Sequence, residues 1–276
     1  QENNMRSAIL FFSLSLFLSI VVNGQTENEH IGNKVIIILL DKSEIKGELV
    51  SENEREIVVS STSLGLLTFK KAEVLKTIYL DKKGRMPNPN PTRYFVGQSA
   101  YTLDKGEGYY QNIYGLINLI SYGITDRFSV LAGTEIISLF SGSPVLFTNL
   151  KYGVPISNKL QGALSFSYLT SVGDLLGDLS LGSLNALLTY GNKEHNVTFG
   201  TGYALANGEI NNTGVLTIGG MTRLTGRLAF ITENYILTSE DEALVSGGLR
   251  YMAKKLTLDL LIFQGGFPAI DIVLKF

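Results

Sequence analysis

Residues 256–276 read LTLDLLIFQGGFPAIDIVLKF. In 256–263, Leu256, Leu258, Leu260 and Ile262 fall on one face of an extended chain, opposite Thr257 and Asp259. In 268–276, Ile270, Ile272, Leu274 and Phe276 oppose Asp271 and Lys275, with Val273 out of phase. Successive side chains of a strand point to opposite sides of its sheet, so each run has one apolar and one polar side. Gly265-Gly266 between them is a turn signal. The pair reads as a strand hairpin with two unlike surfaces.

The same style reaches back to Tyr94. Segments of roughly ten residues, the length a membrane strand requires, lie at 94–102, 108–122, 127–138, 144–155, 160–170 and 179–190. Others follow at 195–205, 213–223, 227–237, 243–252, 256–264 and 268–276. In 195–205, Val197, Phe199, Thr201, Tyr203 and Leu205 share one face and Asn196, Thr198, Gly200, Gly202 and Ala204 the other. In 127–136, Phe128, Val130, Ala132 and Ile136 oppose Ser129, Gly133 and Glu135, while Leu131 breaks the phase. In 243–252, Val245, Leu249 and Tyr251 oppose Ser246, Gly248 and Arg250. Twelve segments agree with the even strand number of bacterial membrane barrels.

A soluble sandwich also alternates, so composition and turns must choose. The 276 residues are 45% hydrophobic and only 17% charged, against about 25% charged in an ordinary soluble domain. Mean hydropathy is +0.18. Beyond residue 25 no stretch approaches the roughly 18 apolar residues of a spanning helix. The polar faces are rich in Gly, Ser, Thr and Asn with isolated charges, which suits a crowded lumen. Connections fall into two classes. Short turns with a basic residue occur at 125–127, 157–159, 192–194, 225–227 and 253–255, alternating with other loops. That is the pattern of turns on one side of a membrane and loops on the other.

The final strand, with Ile270, Ile272, Leu274 and the terminal Phe276 in phase, resembles the C-terminal signal of Gram-negative outer-membrane β-barrels. The resemblance implies recognition by the barrel-assembly machinery, and the chain looks like a Bacteroidota-type outer-membrane protein. Tyr94, Tyr109, Tyr110, Tyr122, Tyr152, Tyr190 and Tyr251 would supply an aromatic girdle, without any Trp.

The N-terminal third reads differently. After QENN, Met5, Arg6 and Ser7 precede a mostly apolar run, Ala8 to Val22, closed by Gly24. A basic start, a short apolar core and a small residue make an export signal, so 1–24 is excluded from the fold. A polar segment, 25–32, follows. Short runs at 35–40, 44–51, 56–61, 64–70 and 73–80 predict a five-stranded β-barrel or roll over 33–80. Leu39, Asp41, Ser43, Ile45, Gly47 and Leu49, then Phe69, Lys70, Glu73, Val74 and Ile78, resemble the Sm-like/SH3-like small barrels. Gly47 would let a bent strand turn a corner. After an export signal, the expected role is docking in the periplasm. Residues 81–93, DKKGRMPNPNPTR, read as an extended, solvated Pro/Asn linker. The barrel is expected over 94–276.

The chain has no cysteine, which excludes disulfides, thiolate metal sites and a cysteine nucleophile. Lys+Arg 23 against Asp+Glu 25 gives −2, so bulk charge does not point to nucleic acid. His30 and His195 lack triad partners in sequence. Asp174 and Asp178 offer too few oxygens for Ca²⁺. No catalytic residue, cofactor or metal ligand is singled out. Glu135, Arg223, Glu233, Arg250, Asp259, Asp271 and Lys275 fall on inward positions, Glu233 in a strand that alternates poorly. Isolated charges in a low-dielectric wall should pair, or line a selective passage. The expectation is an all-β, non-enzymatic protein: an antiparallel transmembrane barrel of about twelve strands. It would sit in outer-membrane lipid with a periplasmic interaction module, as a structural or accessory subunit among other envelope proteins. A passive channel for small solutes is the alternative, and a lipid-modifying enzyme the second alternative.

Overall fold

The computed structural model describes residues 30–171, 173, 180–238 and 242–276. The expected export signal, residues 25–29 and the Asp174/Asp178 loop lie outside the described residues. The chain divides between Tyr79 and Leu80 into two compact units.

The first unit contains β1 (Lys34–Leu39), β2 (Glu44–Glu52), β3 (Glu56–Ser61), β4 (Gly65–Lys70) and β5 (Val74–Tyr79), all antiparallel. Their order is β4-β3-β2-β1-β5. Val35, Ile37, Leu49, Ile57 and Val59 form its core. The β1–β2 turn is set by Asp41, which accepts hydrogen bonds from the Ser43 amide (2.9 Å) and hydroxyl (2.7 Å). Gly47 lies where β3 crosses closely. A Cβ there would stand 2.3 Å from Val59 Cγ1. The five strands are those expected, but they do not close into a barrel. A 3-10 turn, Lys71–Glu73, carries the chain from β4 to the opposite edge, where β5 pairs with β1 instead of β4. Glu52 accepts from Tyr79 Oη (2.7 Å) and pairs with Lys71 (2.7 Å). Burial opposes its charge, but those hydrogen bonds outweigh it and hold its carboxyl below the usual carboxylate range.

The second unit is a closed twelve-strand antiparallel barrel. Its strands are β6 (Gly108–Ile113), β7 (Ile117–Thr125), β8 (Phe128–Glu135), β9 (Val145–Ser157), β10 (Leu160–Ser171) and β11 (Ser180–Gly191). Then come β12 (His195–Ala206), β13 (Glu209–Arg223), β14 (Leu228–Leu237), β16 (Ser246–Met252), β17 (Leu256–Phe263) and β18 (Phe267–Lys275). A short β15 (Glu242–Leu244) extends the β16 position along β14. Each strand pairs with its sequence neighbour, and β6–β18 closes the ring. The count of twelve agrees with the sequence, but two of its segments change. Residues 108–122 are a hairpin, turning at Tyr114 (φ 55°) and Gly115 (φ 75°), the pair of positive angles a type I′ turn needs. Residues 94–102 are not a barrel strand at all.

The apolar faces point outward. Ile120, Leu150, Leu184, Leu188, Phe199, Leu216, Phe230, Leu249, Leu260, Ile270, Ile272 and Leu274 are all exposed large hydrophobics. Such a continuous apolar exterior around a polar interior is the construction of an outer-membrane barrel. Exposed Tyr122, Tyr152 and Tyr190 lie near the short turns, as a girdle requires, whereas Tyr94 and Tyr109 are buried inside. At the opposite, loop-bearing end, β8 leads into a short helix, α1 (Ile136–Phe140). Among the described residues no helix is long and apolar enough to cross a membrane, which leaves crossing by strands open.

Candidate functional site

The lumen is filled by the chain's own pre-barrel segment. Residues 88–95 are buried without interruption, so the second half of the expected solvated linker 81–93 is an inserted plug, while 81–87 are exposed or half-buried. The sequence suits that role. Proline has no N–H to leave unpaired in a closed space and fixes an extended backbone. The intervening asparagines supply the missing bonds. The Asn88 amide donates to Glu194 Oε1 (2.7 Å), its Nδ2 to Lys193 O (3.0 Å), and Asn90 Nδ2 to Thr257 Oγ1 (2.7 Å). Glu194 sits in the β11–β12 turn, so the plug enters at the short-turn end. Arg223 clamps that mouth, donating to Met86 O (2.7 Å) and Glu194 Oε2 (2.8 Å).

Inside, the plug makes a tight reversal. Arg93 and Gln98 form a bridge, and Tyr94 N donates to Gly97 O (2.8 Å). One carboxylate holds the tip: Glu233 Oε2 accepts from Phe95 N (2.7 Å) and Val96 N (3.0 Å). The ring of Tyr94 lies over Gly219, where a Cβ would be 2.4 Å from it. The chain then returns to the same end. Ala100 N donates to Thr189 Oγ1 (2.7 Å), Leu103 N to Ser129 Oγ (3.0 Å) and Lys105 N to Asp126 Oδ1 (2.8 Å). Asp126 belongs to the β7–β8 turn.

The centre of the contact is a charged row. Register places Arg250, Asp259 and Asp271 side by side on β16, β17 and β18. Arg250 grips Asp259 through Nε and Nη2, both at 2.8 Å. Two carboxylates directly opposite each other repel, and one arginine neutralises only one. Arg93 of the plug supplies the second cation, with Nη1 at 3.0 Å from both Asp259 Oδ2 and Asp271 Oδ2. Gln111 Nε2 also donates to Asp271 (2.5 Å). Arg250 in turn donates to the plug carbonyls of Asn90 (3.0 Å), Arg93 (3.2 Å) and Tyr94. All four charged groups are at most 2% exposed. The row of three wall residues is one positive charge short by itself, and the plug provides it.

Of the seven charges picked from sequence, Arg250, Asp259 and Asp271 meet in this row, Glu233 binds the tip and Arg223 the mouth. Two lie elsewhere. Glu135 caps α1, accepting from Ile137 N and Ser138 N at 2.7 Å. Its short side chain sits where the strand ends, so the nearest unpaired amides take it. Lys275, near the turn end, pairs with Glu107 (2.8 Å). The sequence reading missed Arg93, Gln111 and Lys151. Lys151 is buried on the inward phase of β9 and donates to Thr92 O (2.9 Å) and Ser99 O (3.2 Å). A signal was present in the two phase-breaking residues. Val273 packs with Leu103 and Tyr109, and Leu131 packs against the cluster containing Tyr94 and Phe95. Apolar residues on a lumen face announce an apolar occupant. His195 bonds Thr222 Oγ1 (2.7 Å) in an exposed position. Among the described residues no group of three or more potential metal ligands gathers. Cavities of about 290 and 240 Å³ are left between plug and wall among the described residues.

No protein-family model and no curated protein matches the chain. Among solved structures it is similar to the KdgM porin in complex with disordered oligogalacturonate, at 8% identity and TM-score 0.46, over 62% of this chain and 96% of that one. Pseudomonas aeruginosa OccK11 (OpdR) gives 12% identity and TM-score 0.33, over 88% and 93%. The low-pH structure of Pseudomonas putida OprB gives 10% and 0.29, over 88% and 90%. Likeness at this level adds nothing to what the chain's own geometry shows.

Proposed function

We propose that the protein is an outer-membrane channel for small solutes, closed at rest by residues 86–104, with its N-terminal sheet on the periplasmic side. One observation carries this: a segment contiguous with the N-terminal unit occupies the lumen and neutralises the Arg250/Asp259/Asp271 row of the wall. Eight strands leave an interior that side chains can fill, while sixteen leave an aqueous channel. Twelve lie between, and here a plug takes up the surplus. The plug enters and leaves at the short-turn end, which in outer-membrane barrels faces the periplasm. A passage whose stopper is covalently joined to a periplasmic module can be opened by whatever engages that module.

The test is planar-bilayer conductance. The full chain should be silent or flicker briefly, and deletion of residues 86–104 should give steady conductance. A deleted barrel that folds, inserts and stays silent would refute the channel. A second reading, an accessory subunit of an envelope assembly, is favoured by the edges of the N-terminal sheet, β4 and β5, which have no further strand beside them among the described residues, and by its exposed Leu40, Leu64, Leu66 and Leu75. Recovery of the protein always alone in mild detergent would count against it.

A further inference from the structure

We propose that the cavity of about 290 Å³ between the plug and β6–β11 binds a small organic carboxylate with an apolar body. This names a solute class for the channel reading, but it rests only on the seated plug. The volume is at the small end of ligand pockets, which run about 300–1,000 Å³. Its lining is two-sided. Leu119, Leu131, Phe147, Leu169 and Leu181 form an apolar wall, and Gln98, Gln111, Asn149 and Lys151 offer polar groups.

Charge decides the ligand. Among the described residues lining it there is no Asp or Glu, and the two charged side chains are Arg93 and Lys151. The Arg93/Arg250 and Asp259/Asp271 row is balanced within itself. Lys151, 5% exposed, is not: its partners are two carbonyls, and no carboxylate among the described residues reaches it. An ammonium has three N–H donors, so one remains to give. Among the described residues Arg93 Nε and Nη2 likewise have no acceptor. A buried cation without a counter-ion is costly, and an anion in this cavity would supply one. The 240 Å³ cavity is the opposite case, with Glu233 as its charged group, already bound to the plug tip. It gives no comparable reason to bind an anion.

The experiment uses the full chain in a non-ionic detergent, titrated calorimetrically with hexanoate and with its uncharged twin hexanamide, empty micelles subtracted. A hydrogen bond to a charged group is worth about 1.5–3 kcal/mol, so hexanoate should bind about 10- to 100-fold more tightly. Lys151→Met should bring hexanoate down to the level of hexanamide, and Lys151→Arg should keep the preference. Equal binding of the two probes, no hexanoate binding, or an unchanged affinity in Lys151→Met would overturn the site. The comparison in the unmodified chain needs no variant, so it decides the matter even where Lys151→Met does not assemble. A conducting barrel lacking 86–104, from a parent that does not bind hexanoate, would remove this site and leave the channel standing. Hexanoate binding with no conduction would do the reverse.

Discussion

Replacing Arg93 with Met should unseat the plug while leaving the barrel closed on itself. The side chain is 2% exposed and its Nη1 lies 3.0 Å from both Asp259 and Asp271. Without it, one arginine faces two adjacent buried carboxylates. Removing one partner of a buried pair costs about 3–5 kcal/mol, and each 1.4 kcal/mol is tenfold. The equilibrium between seated and released plug should therefore shift by roughly two to nearly four powers of ten. The assay is open probability in planar bilayers, with protease cleavage between residues 86 and 104 as a second readout. The cause can be separated from lost packing. Arg93→Met combined with Asp271→Asn removes one charge of each sign and leaves Arg250 with Asp259 as a matched pair. The double variant should recover at least half of the lost seating energy. If it opens as fully as the single variant, or if the single variant behaves like the parent, charge completion is not what holds the plug.

Other perturbations follow from the same contacts. Gly219→Ala puts a Cβ 2.4 Å from the Tyr94 ring, an overpacking of about 1–3 kcal/mol that should raise proteolysis of the plug without preventing heat-modifiable barrel migration. Phe276→Ala removes a ring that packs over Gly108, where a Cβ would meet it at 2.5 Å; the β6–β18 seam should loosen and heat-modifiable migration should be lost at a lower temperature. In the N-terminal sheet, the Glu52 carboxyl is held low in the folded state. Its contribution is present above about pH 4.5 and is lost as pH falls through the lower folded value, so amide exchange in β5 should quicken there, less steeply in Glu52→Gln.

The barrel was legible because period-two alternation is a local property. Phe199 and Ile270 announce their outward direction from their immediate neighbours, and the same holds around the ring. The plug was illegible because nothing local distinguishes it. PNPNP is as compatible with a solvated spacer as with a lumen segment, and YFVGQSAYT alternates like any strand. What decides its place is long-range: Arg93 meets carboxylates 166 and 178 positions later, at Asp259 and Asp271. Even so, the wall carried the trace. Leu131 and Val273 broke the phase where the plug covers them, and three inward charges in adjacent strands summed to one excess carboxylate. The open five-strand sheet was missed for a similar reason, since strand count does not reveal which edges pair.

The central claim is that residues 86–104 occupy the lumen. Because the chain has no cysteine, a single engineered pair can test it. A Cβ at Gly153 of β9 would stand 3.0 Å from Thr102 Cγ2 of the plug, close to the separation a disulfide spans, so Thr102→Cys with Gly153→Cys should cross-link under mild oxidation in intact outer membranes. The linked form should show none of the brief openings that the reduced form allows. Two free thiols, both labelled rapidly by a membrane-impermeant maleimide and never cross-linked, would contradict the account.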